Sequence, residues 1–207
     1  MCPSWSSWIF EVKIALLRHG PTSWNAQGRI QGHTDIPLSD EGLAKMQALR
    51  LPEEFAGARL YCSTLNRARQ TVQALGLADP TLDARLMEQN WGQWEGLTNA
   101  EIRARDGEDC FDRAGRAHEF RPFGGESTAE LMARVQAFLT DIAREPRDTV
   151  AVAHFGVLRA AYTLATGWAM DTIMPADLDV AQILVLTLDS AGRPSLHELN
   201  RAFSRTA

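Results

Sequence analysis

The residues best suited to chemistry are Arg18 and His19, which end the apolar run 12–17 and directly precede Gly20. The run is short and rich in Val, Ile and Leu, which predicts a buried β-strand. A cation and a histidine are poorly placed for a core, but open α/β sheets bind ligands just outside the carboxyl ends of their strands. Neighbouring strand side chains point to opposite faces, so both can contact one ligand only if the chain leaves the strand here. Gly20 permits that departure.

Three further residues are predicted to reach the same end of the sheet. His154 ends a second apolar run, and Gly156 opens the helix that follows it. Arg67 lies in the first turn of a predicted helix, where unpaired backbone N–H groups already favour an anion. Glu88 follows a third short apolar segment. Two arginines, two histidines and a helix N-terminus predict an anion pocket, and phosphate is the biological anion that suits it best.

This set of residues predicts phosphoryl transfer through a histidine. A histidine flanked by arginines is kept neutral by like charge, which suits a nucleophile. A carboxylate beside a bound phosphate is repelled by it, so we expect the pKa of Glu88 to rise, as suits a general acid that protonates the leaving oxygen. The residue types alone do not decide whether His19 or His154 attacks.

The elements that would position these residues alternate between strands and helices. Strands are predicted over 12–17, 58–62, 82–87, 149–153, 183–188 and 195–199. Helices are predicted over 40–51, 65–75, 99–105, 128–144 and 156–166, with Ser39 and Ser127 as N-caps. The alternation predicts a three-layer α/β/α fold with a mostly parallel central sheet, to which the last two strands add an antiparallel edge.

The length of 207 residues suits one domain, 1–207, with a short cap insertion at about 91–125. The insertion is rich in charge, glycine and aromatic residues, and Trp91 and Trp94 are predicted to pack it. His33 is predicted to lie on a surface loop.

Composition narrows the possible classes. The formal net charge of -5 argues against a dedicated nucleic-acid binder. No apolar stretch is long enough to predict a membrane span, and residues 1–10 lack the basic and long apolar regions of a signal peptide. Three cysteines, Cys2, Cys62 and Cys110, match neither a disulfide framework nor a metal site, which favours a reduced, cytoplasmic setting. An exposed edge strand and the tryptophans Trp5 and Trp8 are consistent with a homodimer.

The order of the motifs resembles that of the histidine phosphatase superfamily, the group of phosphoglycerate mutases and related acid-type phosphatases. The Arg18-His19-Gly20 motif would be a weak signal alone. Matching segments continue in the expected order over most of the chain, at 17–25, 28–32, 35–39, 63–71, 86–96, 124–127 and 154–156. Such a series is a strong signal for the family.

The resemblance implies a role for each candidate residue. His19 would be the nucleophile and form a phosphohistidine, and Glu88 would be the proton donor. The phosphate would be held by Arg18, Asn25, Arg67 and His154. No metal and no cofactor would be needed. Glu95 and Glu126 are also expected near the mouth of the site, and only the spacing in the family favours Glu88 over them. Asn25 is equally typical of a turn.

Three positions depart from the family pattern. Pro21 stands where many members carry Glu or Gln, Thr64 replaces a common proline, and Phe155 stands where glycine is usual. Pro21 and Phe155 bear on the substrate more than on the chemistry, because a bulky ring narrows the pocket.

The segment between Glu88 and His154 is shorter than in phosphoglycerate mutases. A short cap favours hydrolysis, since a mutase must hold and reorient a phosphorylated intermediate without losing it to water. The sequence therefore predicts a metal-independent phosphomonoesterase that hydrolyses a small phosphorylated metabolite. The alternatives are a phosphoglycerate mutase-type phosphotransferase and a weakly catalytic module that binds phosphorylated ligands. The motifs do not specify the substrate.

Overall fold

The computed structural model describes residues 11–111, 119–169 and 175–205. They form a mixed six-stranded sheet with helices on both faces, which confirms the predicted three-layer α/β/α fold. The strands are β1 (Val12–Arg18), β2 (Leu49–Arg50), β3 (Arg59–Cys62), β4 (Thr81–Leu82), β5 (Thr149–Ala153), β6 (Ile183–Leu188), β7 (Pro194–Arg201) and β8 (Ser204–Arg205). The helices are α1 (Ser23–Ala26), α2 (Asp40–Gln47), α3 (Asn66–Ala74), α4 (Asn99–Asp106), α5 (Thr128–Ile142) and α6 (Phe155–Thr166).

The strand order of the main sheet is β4-β3-β5-β1-β6-β7. β4, β3, β5 and β1 are parallel to one another. β6 pairs antiparallel with β1, and β7 pairs antiparallel with β6. The prediction of a parallel sheet with an antiparallel edge made by the last two strands is therefore confirmed.

β1 lies inside the sheet, and five of its seven residues are buried, on both faces. Leu16 packs on one face, in a cluster with Phe138 of α5 and Val157 of α6. Leu17 packs on the opposite face, with Met46 of α2 and with Leu75, which directly follows α3. This alternation follows from the period of two in a strand, and the helices on each face complete the layers.

The three central parallel strands end at the same edge. The ladder pairs Arg18 with Ala153 and Cys62 with Val152. It continues one residue further on both sides, because the backbone N–H of His19 donates to Ala153 O at 3.0 Å and that of Ser63 to Val152 O at 3.0 Å. His19, Ser63 and His154 are consequently the first residues beyond adjacent strands, where α/β sheets bind ligands.

α5 begins at the predicted N-cap, Ser127. The hydroxyl of Ser127 accepts from Glu130 N at 3.2 Å, and the Glu130 carboxylate accepts from Ser127 N at 2.8 Å. This capping box satisfies two backbone donors of the first turn. Ser39 likewise caps α2, accepting from Gly42 N at 3.0 Å.

Two predicted elements are wrong in extent. The predicted strand 82–87 is a strand only at Thr81–Leu82, and a 3₁₀ turn follows at Ala84–Leu86. The Asp83 carboxylate accepts from Arg85 N at 2.8 Å, which caps this turn and ends the strand. The predicted helix 40–51 ends at Gln47, because the next residues pair as β2 with the distant strand β8.

The described part of the cap insertion has a small core of its own. Trp94, Ile102 and Cys110 are buried together, and Trp91 stacks on Trp94 with ring centroids 5.8 Å apart. The predicted packing role of the two tryptophans and the predicted helix near 99–105 are therefore confirmed. Residues 112–118 of the insertion lie outside the described ranges.

Some predictions concern residues that the structure does not describe. Trp5 and Trp8 are among them, so the homodimer stays a prediction, as does the extent of the domain. In the ranges that are described, no helix combines the length and apolar character needed to cross a membrane.

Candidate active site

A cavity of about 340 Å³ opens at the carboxyl edge of β1 and β5. Four of the predicted site residues line it: Arg18, His19, Asn25 and Glu88. The other two, Arg67 and His154, are fully buried next to His19. The structure thus brings all six predicted residues to one end of the sheet.

The ring of His19 is fixed by its own backbone turn. Its Nδ1 lies 2.7 Å from Gly20 O, and because a carbonyl oxygen only accepts, Nδ1 carries the hydrogen. Nε2 is then the unprotonated nitrogen of the neutral ring. Burial lowers the pKa of His19 well below its ordinary value of 6.5, and the charges of Arg18 and Arg67 lower it further. The predicted neutral state holds, although burial contributes more than like charge does.

His154 is held in a different way. Its Nε2 is 2.8 Å from the Ser63 hydroxyl, and its ring centroid is 5.0 Å from that of His19. Among the described residues, its Nδ1 has no hydrogen-bond partner. Burial, with the neighbouring His19 and Arg67, lowers the pKa of His154 well below 6.5. The role of Ser63 was not predicted, since a serine at a strand end carries no signal of its partner.

Arg67 links the first turn of α3 to the loop after α1. Its guanidinium donates to Gly32 O at 2.8 Å and to Thr34 O at 3.1 Å. Thr71, one turn later on α3, accepts from Gly20 N at 2.9 Å. These contacts hold α3 against the end of β1, so the position of Arg67 relative to His19 is set from two sides.

Glu88 is a buried carboxyl group, only 6 % exposed. It accepts from Gln89 N at 2.8 Å and from Gly156 N at 2.9 Å. Burial raises the pKa of Glu88, and these two hydrogen bonds and the charges of Arg67 and Arg18 oppose the rise. The expected direction is present, but burial is its main cause rather than repulsion by phosphate.

The backbone around Glu88 is clamped by Arg134 of α5. The Arg134 guanidinium donates to Arg85 O at 2.6 Å, Met87 O at 2.7 Å and Glu88 O at 2.9 Å. It also forms an ion pair with Glu126 at 2.7 Å. His33 adds a contact, with its Nε2 2.9 Å from Glu88 O, although its side chain is exposed as predicted.

The two competing carboxylates are committed elsewhere. Glu95 accepts from the backbone N–H groups of His33, Thr34 and Trp91. Glu126 is paired with Arg134 as described above. Neither lines the cavity, and among the described residues Glu88 is the carboxyl group that does.

Asn25 lies in the predicted turn and also lines the cavity. Its side-chain oxygen accepts from Thr22 N at 2.9 Å, closing a capping box at the start of α1. The residue also lines the cavity, and its oxygen is engaged by the cap, so its amide NH₂ is the group left to donate to a ligand.

Two of the three departures from the family pattern, Pro21 and Phe155, line cavities at this end of the sheet. The ring of Phe155 lies 5.8 Å from the guanidinium carbon of Arg18 and forms part of the cavity wall. Pro21 lines a second cavity, which shares Arg18, His19 and Asn25 with the first. Arg159, on α6, lines the first cavity and was not predicted.

The comparisons with known proteins agree with this geometry. The sequence profile described as the histidine phosphatase superfamily (branch 1) matches residues 14–202. The chain belongs to this superfamily.

Relatives in the superfamily include both phosphatases and mutases. The chain is 30% identical over 186 residues to phosphoserine phosphatase 1 of Hydrogenobacter thermophilus, covering 86% of this chain and 87% of the relative. It is 32% identical over 192 residues to the 2,3-bisphosphoglycerate-dependent phosphoglycerate mutase of Methylobacterium sp. (strain 4-46), covering 86% and 92%. Among solved structures, the mycobacterial glucosyl-3-phosphoglycerate phosphatase complexed with VO₃ superposes with a TM-score of 0.76 at 30% identity, covering 92% of this chain and 100% of that one.

Within residues 11–111, 119–169 and 175–205, no group of three or more His, Cys, Asp or Glu side chains is arranged to hold a metal ion.

The depressed histidine pKa values predict a dependence of stability on pH. Below about 6.5 the unfolded chain protonates His19 and His154 while the folded state keeps both neutral, so the free energy of unfolding falls as the pH decreases. The loss is about 1.4 kcal/mol per pH unit for each histidine. Replacing His154→Asn is expected to reduce the slope between pH 7 and 5.5, as measured by urea unfolding.

The exposed residue His197 provides the control, because His197→Asn should leave the slope unchanged. Because the pKa of Glu88 is raised, its contribution to the free energy of unfolding falls as the pH rises above about 4.5, which is a slope of opposite sign. Glu88 is present in the wild type and in both variants, so this contribution does not affect the comparison. An equal slope in wild type and His154→Asn would contradict the neutral state of His154.

Proposed function

We propose that this protein is a metal-independent phosphomonoesterase that hydrolyses a small phosphorylated metabolite through a phosphohistidine on His19. The observation that carries the proposal is the fixed, neutral ring of His19 between Arg18 and Arg67, with the buried carboxyl of Glu88 at the same cavity. A neutral imidazole with a lone pair on Nε2 is a nucleophile, and a carboxyl with a raised pKa is a proton donor.

The binding of the phosphate is supported by nitrogens that point to no protein acceptor. Arg18 Nε, Arg67 Nε and His154 Nδ1 are buried and have no hydrogen-bond partner among the described residues. Unpaired buried donors are costly, and an anion between them satisfies several at once. Arg18, Arg67 and His154 would hold the phosphate oxygens, and the Asn25 amide would add a hydrogen bond.

The proposed reaction has two steps. His19 Nε2 attacks phosphorus as the bond to the leaving oxygen breaks, and that oxygen takes the proton of Glu88. In the second step, the Glu88 carboxylate takes a proton from water as the water oxygen attacks the phosphohistidine. Inorganic phosphate leaves, and both His19 and the Glu88 carboxyl are restored.

The cavity walls support hydrolysis of an ester with an apolar body over a mutase reaction on phosphoglycerate. Five apolar side chains line the same cavity as the groups proposed to bind phosphate: Ile30, Trp91, Phe111, Phe155 and Val180. Phosphoglycerate has almost no apolar surface to place against them. The relatives that act on phosphoserine and glucosyl-3-phosphoglycerate show that hydrolases occur on this scaffold, and the net charge of -5 supports a small substrate over nucleic acid.

The role of His19 is tested by hydrolysis of a generic aryl phosphate in the presence of EDTA. We expect activity in the wild type, and a loss on the order of 10³-fold or more in His19→Ala, because the nucleophile is removed. His197→Ala serves as the exposed control. Stopping the wild-type reaction in alkali should trap a labelled, acid-labile phosphoprotein.

Each contrary outcome points to a specific error. Equal activity in wild type and His19→Ala would exclude His19 as the nucleophile, and inhibition by EDTA would exclude a metal-independent reaction. Conversion of 3- to 2-phosphoglycerate would favour the mutase. Phospholigand binding without turnover would favour a binding module.

The role of Glu88 is tested by varying the leaving group. In Glu88→Gln, hydrolysis of an alkyl phosphate should fall on the order of 10²- to 10⁴-fold, because the alkoxide needs a proton. The loss for 4-nitrophenyl phosphate should be much smaller, since nitrophenolate leaves unprotonated. Glu145→Gln, at an exposed carboxylate, controls for charge. An equal loss for both esters would show that Glu88 is not the acid.

Arg134 is predicted to position Glu88 rather than to contact substrate. Arg134→Met removes its hydrogen bonds to the 85–88 backbone, so kcat for the alkyl phosphate should fall on the order of tenfold, with KM changed less. Arg134→Lys should retain part of the wild-type kcat. Arg144→Met, at an exposed arginine, provides the matched control. A change confined to KM would contradict this role.

A further inference from the structure

Arg159 is a buried cation in the cavity that the proposed chemistry does not use. It lies on α6, four residues after Phe155, so both side chains share one face of the helix. The residue is only 7% exposed, and it lines the same cavity as His19 and Glu88. Four residues of an α-helix rise about 6 Å. Arg159 therefore lies one helical turn further than Phe155 from His154, which directly precedes α6.

The guanidinium of Arg159 lacks the partners that a buried charge requires. In the ranges that the structure describes, its Nε and one terminal nitrogen have no hydrogen-bond partner and no carboxylate forms an ion pair with it. Its contact is with the face of Trp168, whose centroid is 5.6 Å from the guanidinium carbon. A cation–π contact leaves the in-plane N–H groups free, and unpaired buried donors are costly.

Arg29 on the same cavity is different. Its guanidinium donates to Gly96 O and to the Gln27 side chain, and it lies 3.6 Å from the Glu101 carboxylate. Arg29 therefore ties the loop after α1 to the cap. Among the arginines that line the cavity in the described ranges, Arg18 and Arg159 are the ones with unpaired donors that a ligand could use.

Much of the lining of the cavity is apolar. Phe155 contacts Arg18 and lies one helical turn before Arg159 on α6, and Trp91, Phe111 and Val180 line the same cavity. A ligand that satisfies both ends has an apolar body with one anionic group at each end. A neutral ester would leave the Arg159 donors buried without acceptors.

We propose that Arg159 forms a second anion subsite, and that the substrate carries an acidic group, a carboxylate or a second phosphate, in addition to the phosphate that is cleaved. The inference rests on the proposed phosphatase function and deepens it. Arg159 binds this second group at the far end of the cavity and selects acidic phosphomonoesters over neutral ones.

The test uses matched aryl phosphates that differ in one substituent. Carboxyphenyl phosphate, carbamoylphenyl phosphate and phenylene bisphosphate, each in meta and para forms, present a carboxylate, a neutral isostere and a second phosphate. In the wild type, kcat/KM should favour an acidic ester over the amide by on the order of tenfold or more, as expected for a charge-assisted hydrogen bond. The acidic ester with the larger gain in kcat/KM over the amide shows whether the subsite binds a carboxylate or a second phosphate.

The preference should depend on Arg159. In Arg159→Gln the acid-to-amide ratio should fall to near one, and Arg159→Lys should keep part of it. Arg193→Gln, at an exposed arginine that pairs with Asp189 in the β6–β7 turn, should keep the wild-type ratio. A ratio near one in the wild type overturns the subsite, even if Arg159→Gln does not fold.

Equilibrium binding separates this proposal from the proposed reaction. The same esters are titrated calorimetrically into His19→Ala, with and without Arg159→Gln. Arg159-dependent preference for the acid, together with no turnover by the wild type, would overturn the phosphatase and support the subsite. Turnover of acid and amide at equal kcat/KM would support the phosphatase and overturn the subsite. A preference that persists in Arg159→Gln would place the second group elsewhere.

Discussion

The site depends first on the pairing of β1 with β5. The ladder continues past Arg18 through the hydrogen bond from His19 N to Ala153 O, so the chain leaves both strands at the same level. That shared exit fixes the two histidine rings 5.0 Å apart. A shift of one residue would turn every side chain of β1 to the other face and remove His19 from the site. The chemistry is therefore set by the same register that builds the core.

Burial acts on the acid and on the nucleophile in opposite directions, and both directions serve the same reaction. The low dielectric at the strand ends disfavours the charged form of every group. It lowers the pKa of His19 and raises that of Glu88. Burial therefore favours the neutral ring of His19 and the protonated form of Glu88 in the same site. Arg18 and Arg67 strengthen the effect on His19 and weaken it on Glu88.

The elements that the sequence predicts correctly are those specified by local signals or by motifs. β1, β5 and β6 and the N-caps Ser39 and Ser127 were predicted because apolar runs and caps are local signals. β2 and β8 were missed because their pairing joins residues 156 positions apart, Leu49 with Arg205, well beyond any local window. The Ser63–His154 contact was missed for the same reason. All six candidate residues meet at one strand edge, whereas their chemical roles rest on the proposal and its tests.

Arg67, Arg134 and Arg159 show how hydrogen bonding separates arginines that hold the fold from those that can contact a ligand. Arg134 is saturated by backbone carbonyls and by Glu126, so it holds structure. The terminal nitrogens of Arg67 donate to Gly32 O and Thr34 O, whereas its Nε has no partner among the described residues. Arg67 therefore supports a loop and still has a donor for a ligand. Arg159 contacts the face of Trp168, and its Nε and one terminal nitrogen have no acceptor among the described residues. A buried guanidinium without acceptors is unfavourable. The number of N–H groups without an acceptor in the protein therefore ranks these arginines by how many donors remain for a substrate. That ranking could not come from the sequence, where all three are arginines on amphipathic helices.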